Sequence, residues 1–160
     1  VIAKVHGIAT AAGCQLVATC DLAVAEKSTK FGVNGVNIGL FCSTPMVALS
    51  RNIPRKQAFE MLTTGEFITA DQAKTLGLVN RVASIEDFEV QTEELAETIA
   101  SKLGAAVKIG KEAFYKQLEM PITQAYEYTG QVMAENMMLR QTEKGIDAFL
   151  NKLEPAWEQD

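Results

Sequence analysis

Val5-His6-Gly7-Ile8-Ala9-Thr10-Ala11-Ala12-Gly13-Cys14-Gln15-Leu16 is the stretch on which the reading of this chain turns. It follows an apolar run, Val1 to Val5, that reads as a buried strand, and it leads into a helix expected over Ala11 to Cys20. A strand, a glycine turn and small residues at a helix start make an anion site. The first N–H groups of a helix lack internal partners, and the helix dipole adds positive potential there. Ala11, Ala12 and Gly13 leave room for a substrate oxygen to approach those groups, so the segment is a candidate half of an oxyanion hole. The same small residues also serve simply to pack a helix closely on a sheet. The pattern alone does not separate the two.

Working outward, Leu22 to Ala25 reads as a second strand. A helix of about ten residues between two strands makes a crossover, which favours parallel pairing. Phe31 to Thr44, rich in Gly, Asn and Ser, reads as a loop lining something. Pro45 fits the first turn of a helix running through Arg51, and Pro54 opens another with Ala58, Phe59, Met61 and Leu62 on its apolar side. Thr69 and Gln72 have capping-box spacing ahead of a short helix that Gly77 ends. Val79 to Val82 is a short strand. From Ile85 onward the periodicity turns helical. Phe88, Leu95 and Ile99 share one helix, and Val107, Ala113, Phe114 and Leu118 the next. Pro121 opens the longest, and a last helix covers Gly145 to Leu153. The organisation is therefore a core over 1–84 followed by a helical region over 85–160.

Bulk composition narrows the classes. At 160 residues and 48% hydrophobic, the chain suits one domain with a real core. No apolar run has membrane-spanning length, so no membrane partner is expected. The net charge of −5, with acids and bases interleaved, lacks a nucleic-acid footprint. Cys14, Cys20 and Cys42 have no metal-like spacing and read as three buried thiols in a reducing compartment. No metal is expected.

The opening stretch resembles the crotonase (enoyl-CoA hydratase/isomerase) superfamily pattern V-N-G-x-x-x-G-G-G-x-E/D. Later segments agree in order: Asp21-Leu22-Ala23-Val24-Ala25, Phe31-Gly32, Thr64 to Ala73 with Gly77-Leu78-Val79-Asn80-Arg81-Val82, and Glu143 to Lys152. Ala9 to Gln15 and Gly39 to Pro45 narrow the resemblance to one branch of the superfamily. It implies an α/β fold, a crotonase-like spiral of ββα units followed by a helical trimerisation region. It also implies a homotrimer or hexamer in the cytoplasm or mitochondrion, and a coenzyme A thioester as substrate or ligand with no further cofactor. Family members carry a preceding region that supplies several strands, much of the acyl-CoA pocket and the other oxyanion donor. The chain is thus expected to be the C-terminal half or more of a longer protein, with the N-terminal part of the fold absent. Unpaired strand edges then predict aggregation of the isolated piece.

The resemblance also assigns roles. Ala12 falls where the family's second-half oxyanion donor lies, with Gly13 beside it. The two glutamates that hold and activate water in family hydratases fall at Gln15 and Gly35. An amide orients water but does not usefully take its proton, and glycine offers no side chain. Losing general acid–base help costs about 10²–10⁴-fold per group, so ordinary hydration is expected to be very low or absent. His6, the single histidine, either titrates near neutrality as a proton carrier or braces the turn before Gly7. Asn34 and Asn37 either bind a polar acyl group or serve ordinary loop chemistry. Lys152 either pairs with a CoA phosphate or is a solvated lysine favoured by the helix dipole, and Leu153 stands where Arg is common in the family.

Three functions follow. The first is an acyl-CoA-binding enzyme that stabilises an enolate or tetrahedral oxyanion in thioester hydrolysis, decarboxylation or isomerisation. The second is a non-catalytic acyl-CoA-binding or regulatory paralogue. The third is a genuine enoyl-CoA hydratase/isomerase of fatty-acid metabolism that uses a substitute residue.

Overall fold

β1 (Ile2–Val5) ends where Gly7 takes φ 71, a left-handed turn that a side chain would strain, and the chain enters β2 (Ile8–Thr10) at once. The computed structural model describes residues 1–157. It divides into two compact units, Val1–Ala96 and Glu97–Asp160.

The first unit winds between two small sheets. After β2 come α1 (Ala12–Thr19), β3 (Leu22–Glu26) and β4 (Lys30–Gly32). β3 pairs parallel with β1, Ile2 opposite Leu22, and β4 pairs parallel with β2, Ile8 opposite Lys30. Successive strands therefore alternate between the sheets, which is how a spiral of ββα turns forms. Buried Thr29 fixes the step between them: its hydroxyl donates to the Val5 carbonyl at 3.1 Å, and the next N–H, of Lys30, donates to the Gly7 carbonyl at 2.9 Å.

A 3₁₀ segment (Asn34–Ile38), α2 (Ser43–Asn52) and α3 (Arg55–Thr64) follow. Phe31 to Thr44, expected as loop, is mostly occupied by β4, the 3₁₀ turn and the start of α2. β5 (Ile68–Thr69) then adds antiparallel to β4, and α4 (Ala70–Leu76) leads to β6 (Arg81–Ala83), which adds parallel to β3. β6 sits slightly later than expected because Asn80 is taken up before it. The Asn80 side-chain oxygen accepts the Ala23 N–H at 2.8 Å, and its own N–H donates to the Ala23 carbonyl at 2.9 Å. Phe31, Val33, Leu49, Leu62 and Cys14 are fully buried in one continuous core.

The capping box at α4 is present in both directions. The Thr69 hydroxyl accepts the Gln72 N–H at 3.2 Å, and the Gln72 side chain accepts the Thr69 N–H at 2.8 Å. Thr69→Ala is expected to cost about 1 kcal/mol by losing the cap. A thermal melt checks this, with a fall of roughly 2–4 °C for a chain of this size.

α5 (Phe88–Ala100) packs Phe88 and Leu95 on Val24 and Ala83 of the first unit. The second unit holds the end of α5, α6 (Gly104–Gln117), α7 (Ile122–Met137) and α8 (Arg140–Leu150). α7 is the longest helix, as the periodicity after Pro121 predicts. α8 begins five residues before the expected Gly145 and stops short of Leu153. Its end is a Schellman motif, with the Leu153 N–H on the Ala148 carbonyl at 2.9 Å and the Lys152 N–H on that of Phe149 at 3.1 Å. The Lys116 ammonium, 4.5 Å from the Tyr128 ring centre, ties α6 to α7.

Candidate oxyanion site

The first turn of α1 is aimed by a residue held in an unusual conformation. Ala11, its N-cap, has φ 47 and ψ −114, a region that side chains rarely enter. Such a backbone costs about 1–3 kcal/mol and persists only when its surroundings impose it. They do so here: the Ala11 N–H donates to the Gly32 carbonyl at 3.0 Å, and its carbonyl accepts the Gln15 N–H at 3.0 Å. The N–H groups of Ala12, Gly13 and Cys14 are the orphan donors of the helix start. Ala12 and Gly13 are exposed residues at this helix start. Ala11→Gly is expected to raise stability by about 1 kcal/mol, since the strain is relieved at the cost of some unfolded-state entropy. Thioester affinity should stay within about twofold, because the donor geometry is unchanged. Paired melts and titrations check both.

Opposite this turn lies the 3₁₀ segment, and a polar bracket holds it in place. The Asn34 side-chain oxygen accepts from the Thr10 hydroxyl at 2.5 Å, while its amide nitrogen donates to the Gly65 carbonyl. The Asn37 amide donates to the same carbonyl at 3.2 Å. Both asparagines therefore brace the segment. Gly65 has φ 64, and a Cβ there would meet the Asn37 side-chain oxygen at 2.5 Å, so the bracket needs glycine. Thr10 and Gly65 were not singled out from the sequence. Only the pairing of β2 with β4 brings Thr10 to Asn34, and no local pattern carries that information.

Gly35 is closed off. A Cβ built on it would lie 2.3 Å from the Leu40 carbonyl oxygen and 2.9 Å from the Cys42 Sγ. The Leu40 N–H in turn donates to the Gly35 carbonyl at 2.9 Å, locking the turn. Gln15 is half-buried on the first turn of α1, and its carbonyl accepts the Thr19 hydroxyl at 2.7 Å. Neither position offers a carboxylate.

The remaining candidates are placed as follows. His6 is exposed on the turn before Gly7. The Glu26 carboxyl is held below its ordinary range by the Ser28 hydroxyl and N–H, with a smaller contribution from nearby His6. Burial pushes the Cys14 thiol up to about 11, against a lowering hydrogen bond from the Gly32 backbone. It is therefore protonated at neutral pH and no nucleophile. Cys42 is buried too, whereas Cys20 is only half-buried, which corrects the reading of three buried thiols. Lys152 belongs to the second unit. It is exposed, and it takes φ 58 as the left-handed residue that closes α8. Among the described residues no group of three His, Cys, Asp or Glu side chains gathers to hold a metal.

The whole chain, residues 1–160, matches the enoyl-CoA hydratase/isomerase family. It belongs to that family. The human mitochondrial enoyl-CoA hydratase domain-containing protein 3 is 49% identical over 160 residues, covering 100% of this chain and 53% of its own length. This agrees with the branch marked by Ala9 to Gln15 and Gly39 to Pro45. A crystal structure of enoyl-CoA hydratase from Mycobacterium smegmatis superposes with TM-score 0.97 at 56% identity, over 99% of this chain and 62% of that one. The human domain-containing protein 3 structure gives 0.95 at 51% identity, over 98% and 62%. A crotonyl-CoA hydratase from Syntrophomonas wolfei is 31% identical over 156 residues. The chain spans about half the length of the curated relatives it matches. The fold is crotonase-like, as expected.

Proposed function

We propose that this chain contributes the helix-start half of an acyl-CoA thioester site and that the site does not hydrate enoyl-CoA in the ordinary way. Ala12 is the donor in this reading: its N–H meets the thioester carbonyl oxygen and stabilises negative charge developing there. Replacing glycine by alanine keeps that donor. The other oxyanion donor comes from the preceding region that family members carry.

The observation behind the second half of the proposal is the 2.3 Å approach of a Gly35 Cβ to the Leu40 carbonyl. Hydration needs one group to take a proton from water and another to return one. Gln15 performs neither step at neutral pH, and the loop has folded into the space that a side chain at residue 35 would need. What these residues retain is carbonyl polarisation, which suits a thioester binder or a reaction whose base lies elsewhere in the protein. The names of relatives such as crotonyl-CoA hydratase favour acyl-CoA as the ligand class, and the mitochondrial relatives favour that compartment.

The second unit supports assembly as a homotrimer or hexamer. Tyr126, Met133, Met138, Phe149 and Leu150 are all well exposed there, apolar surface available for a partner copy to cover. Among the described residues no helix is long and apolar enough to cross a membrane.

Calorimetric titration of the full-length protein with crotonyl-CoA and acetyl-CoA, with products followed by mass spectrometry, tests the reading. Binding without added water is the expected result. Hydration at an ordinary hydratase rate would overturn the loss of acid–base chemistry, and failure to bind any CoA thioester would overturn the site itself.

A further inference from the structure

The first unit carries a second concavity, built from other residues. It is a half-open groove of about 400 Å³ between α3 and α4. Met61, Phe67, Ile68 and Leu76 form its apolar floor, and Glu60, Glu66 and Asp71 stand among the polar residues around it. No lysine or arginine lines it. The cations of α3, Arg55 and Lys56, line the neighbouring concavity instead, beside Phe59. Glu60 borders both concavities, while Glu66 and Asp71, beyond α3, line this one alone.

A wide acidic rim around an apolar floor has a definite chemistry. It repels phosphates, so the groove is no extension of a nucleotide-binding surface. It attracts a cation that also brings an apolar anchor. Phe67 remains 45% exposed, so aromatic surface is left available for such an anchor. We propose that this groove docks a basic segment of another protein, with an aliphatic or aromatic side chain seated on Met61 and Phe67 and flanking lysines or arginines facing Glu60, Glu66 and Asp71. The proposal is independent of the acyl-CoA reading.

The groove is also wired to the 3₁₀ segment. A Cβ on Gly32 would meet the Asn34 Oδ1 at 2.6 Å and the Phe67 Cδ1 at 2.8 Å, so both side chains lie close over β4. The Gly65 carbonyl, two residues before Phe67, is the acceptor shared by Asn34 and Asn37.

The test uses the full-length protein and a fluorescein-labelled peptide of alternating lysine and leucine with one central phenylalanine. A control peptide carries glutamate in place of every lysine. Binding of the basic peptide is expected, weakening at high salt, with no binding of the acidic control. Glu60→Gln with Glu66→Gln, both exposed positions, should weaken it about tenfold without lowering the melting temperature. Hydrogen exchange should slow on α3 and α4 when the peptide is bound. Equal binding of both peptides, indifference to the double variant or protection confined to other helices would overturn the proposal. Salt-sensitive self-association abolished by the same double variant would overturn it too, by assigning the groove to a second copy of this chain.

Discussion

Gly35→Glu is expected to leave enoyl-CoA hydration undetectable and to lower stability by about 1–3 kcal/mol, the usual cost of forcing extra atoms into filled space. The side chain has no route out of the turn. Its Cβ alone would sit 2.3 Å from the Leu40 carbonyl oxygen, a backbone atom that cannot swing aside like the end of a flexible side chain. Relief requires the Gly35–Leu40 turn to open. That breaks the 2.9 Å hydrogen bond from the Leu40 N–H to the Gly35 carbonyl and disturbs Cys42 in the core behind it. Adding Gln15→Glu restores the first carboxylate on the half-buried turn of α1 but not the geometry of the second. Since each acid–base group is worth about 10²–10⁴-fold, a working pair would raise turnover by several orders of magnitude. The expected gain for the double variant is less than about tenfold on the same scale. A melt and a steady-state assay with crotonyl-CoA decide the matter. Hydration recovered by several orders of magnitude, with stability intact, would show that the turn adapts.

The contrast between Gln15 and Gly35 marks how far a sequence reading reaches. Both losses of carboxylate are visible in one-dimensional order, because the motif supplies the register. That one position is an open substitution and the other a refolded turn is not visible, since the Leu40 carbonyl is a backbone atom and leaves no side-chain signature. Local chemistry was otherwise a good guide. Thr69 and Gln72 cap α4 as their spacing implies, Pro54 precedes α3, and Gly77 ends α4 with φ 85. β2, β4 and β5 are not legible in the sequence, unlike the comparably short β6. They are too short to show alternation and exist only because distant partners pair with them. The start of α8 at Arg140 escaped for a related reason: its N-cap, Leu139, makes no side-chain cap, so no punctuation marks it. Asn34 read as either a ligand or loop chemistry, and the pairing of β2 with β4 gives it Thr10 as a partner across the site. Long-range pairing, not propensity, builds the bracket.

Ala12→Pro should remove the thioester's polarising donor. Ala12 is the first residue of α1, the position where proline is well tolerated because its N–H has no helical partner. Ala11 before it has φ 47 and ψ −114, outside the extended range that a following proline favours, so the variant is expected to shift the Ala11 backbone and lose some stability, and a melt accompanies every reading of it. In a variant that still folds, the substitution deletes one N–H group. Loss of one oxyanion donor typically costs about 10²–10³-fold in the step it serves. In full-length protein the expected outcome is a rate loss of that size for any thioester reaction the protein performs. Where it only binds, the red shift in absorbance that a polarised chromophoric enoyl thioester shows on binding should disappear. Ala12→Gly keeps the N–H and should retain both signals, which separates the donor from the methyl group. An unchanged spectral shift in a well-folded Ala12→Pro variant would move the donor away from Ala12. The orphan N–H groups of Gly13 and Cys14 would then be next in line, and Cys14 is already committed at its side chain, buried behind the turn against the Gly32 backbone. That leaves Gly13 as the single exposed alternative on this helix start, so the pair of variants locates the donor to one residue.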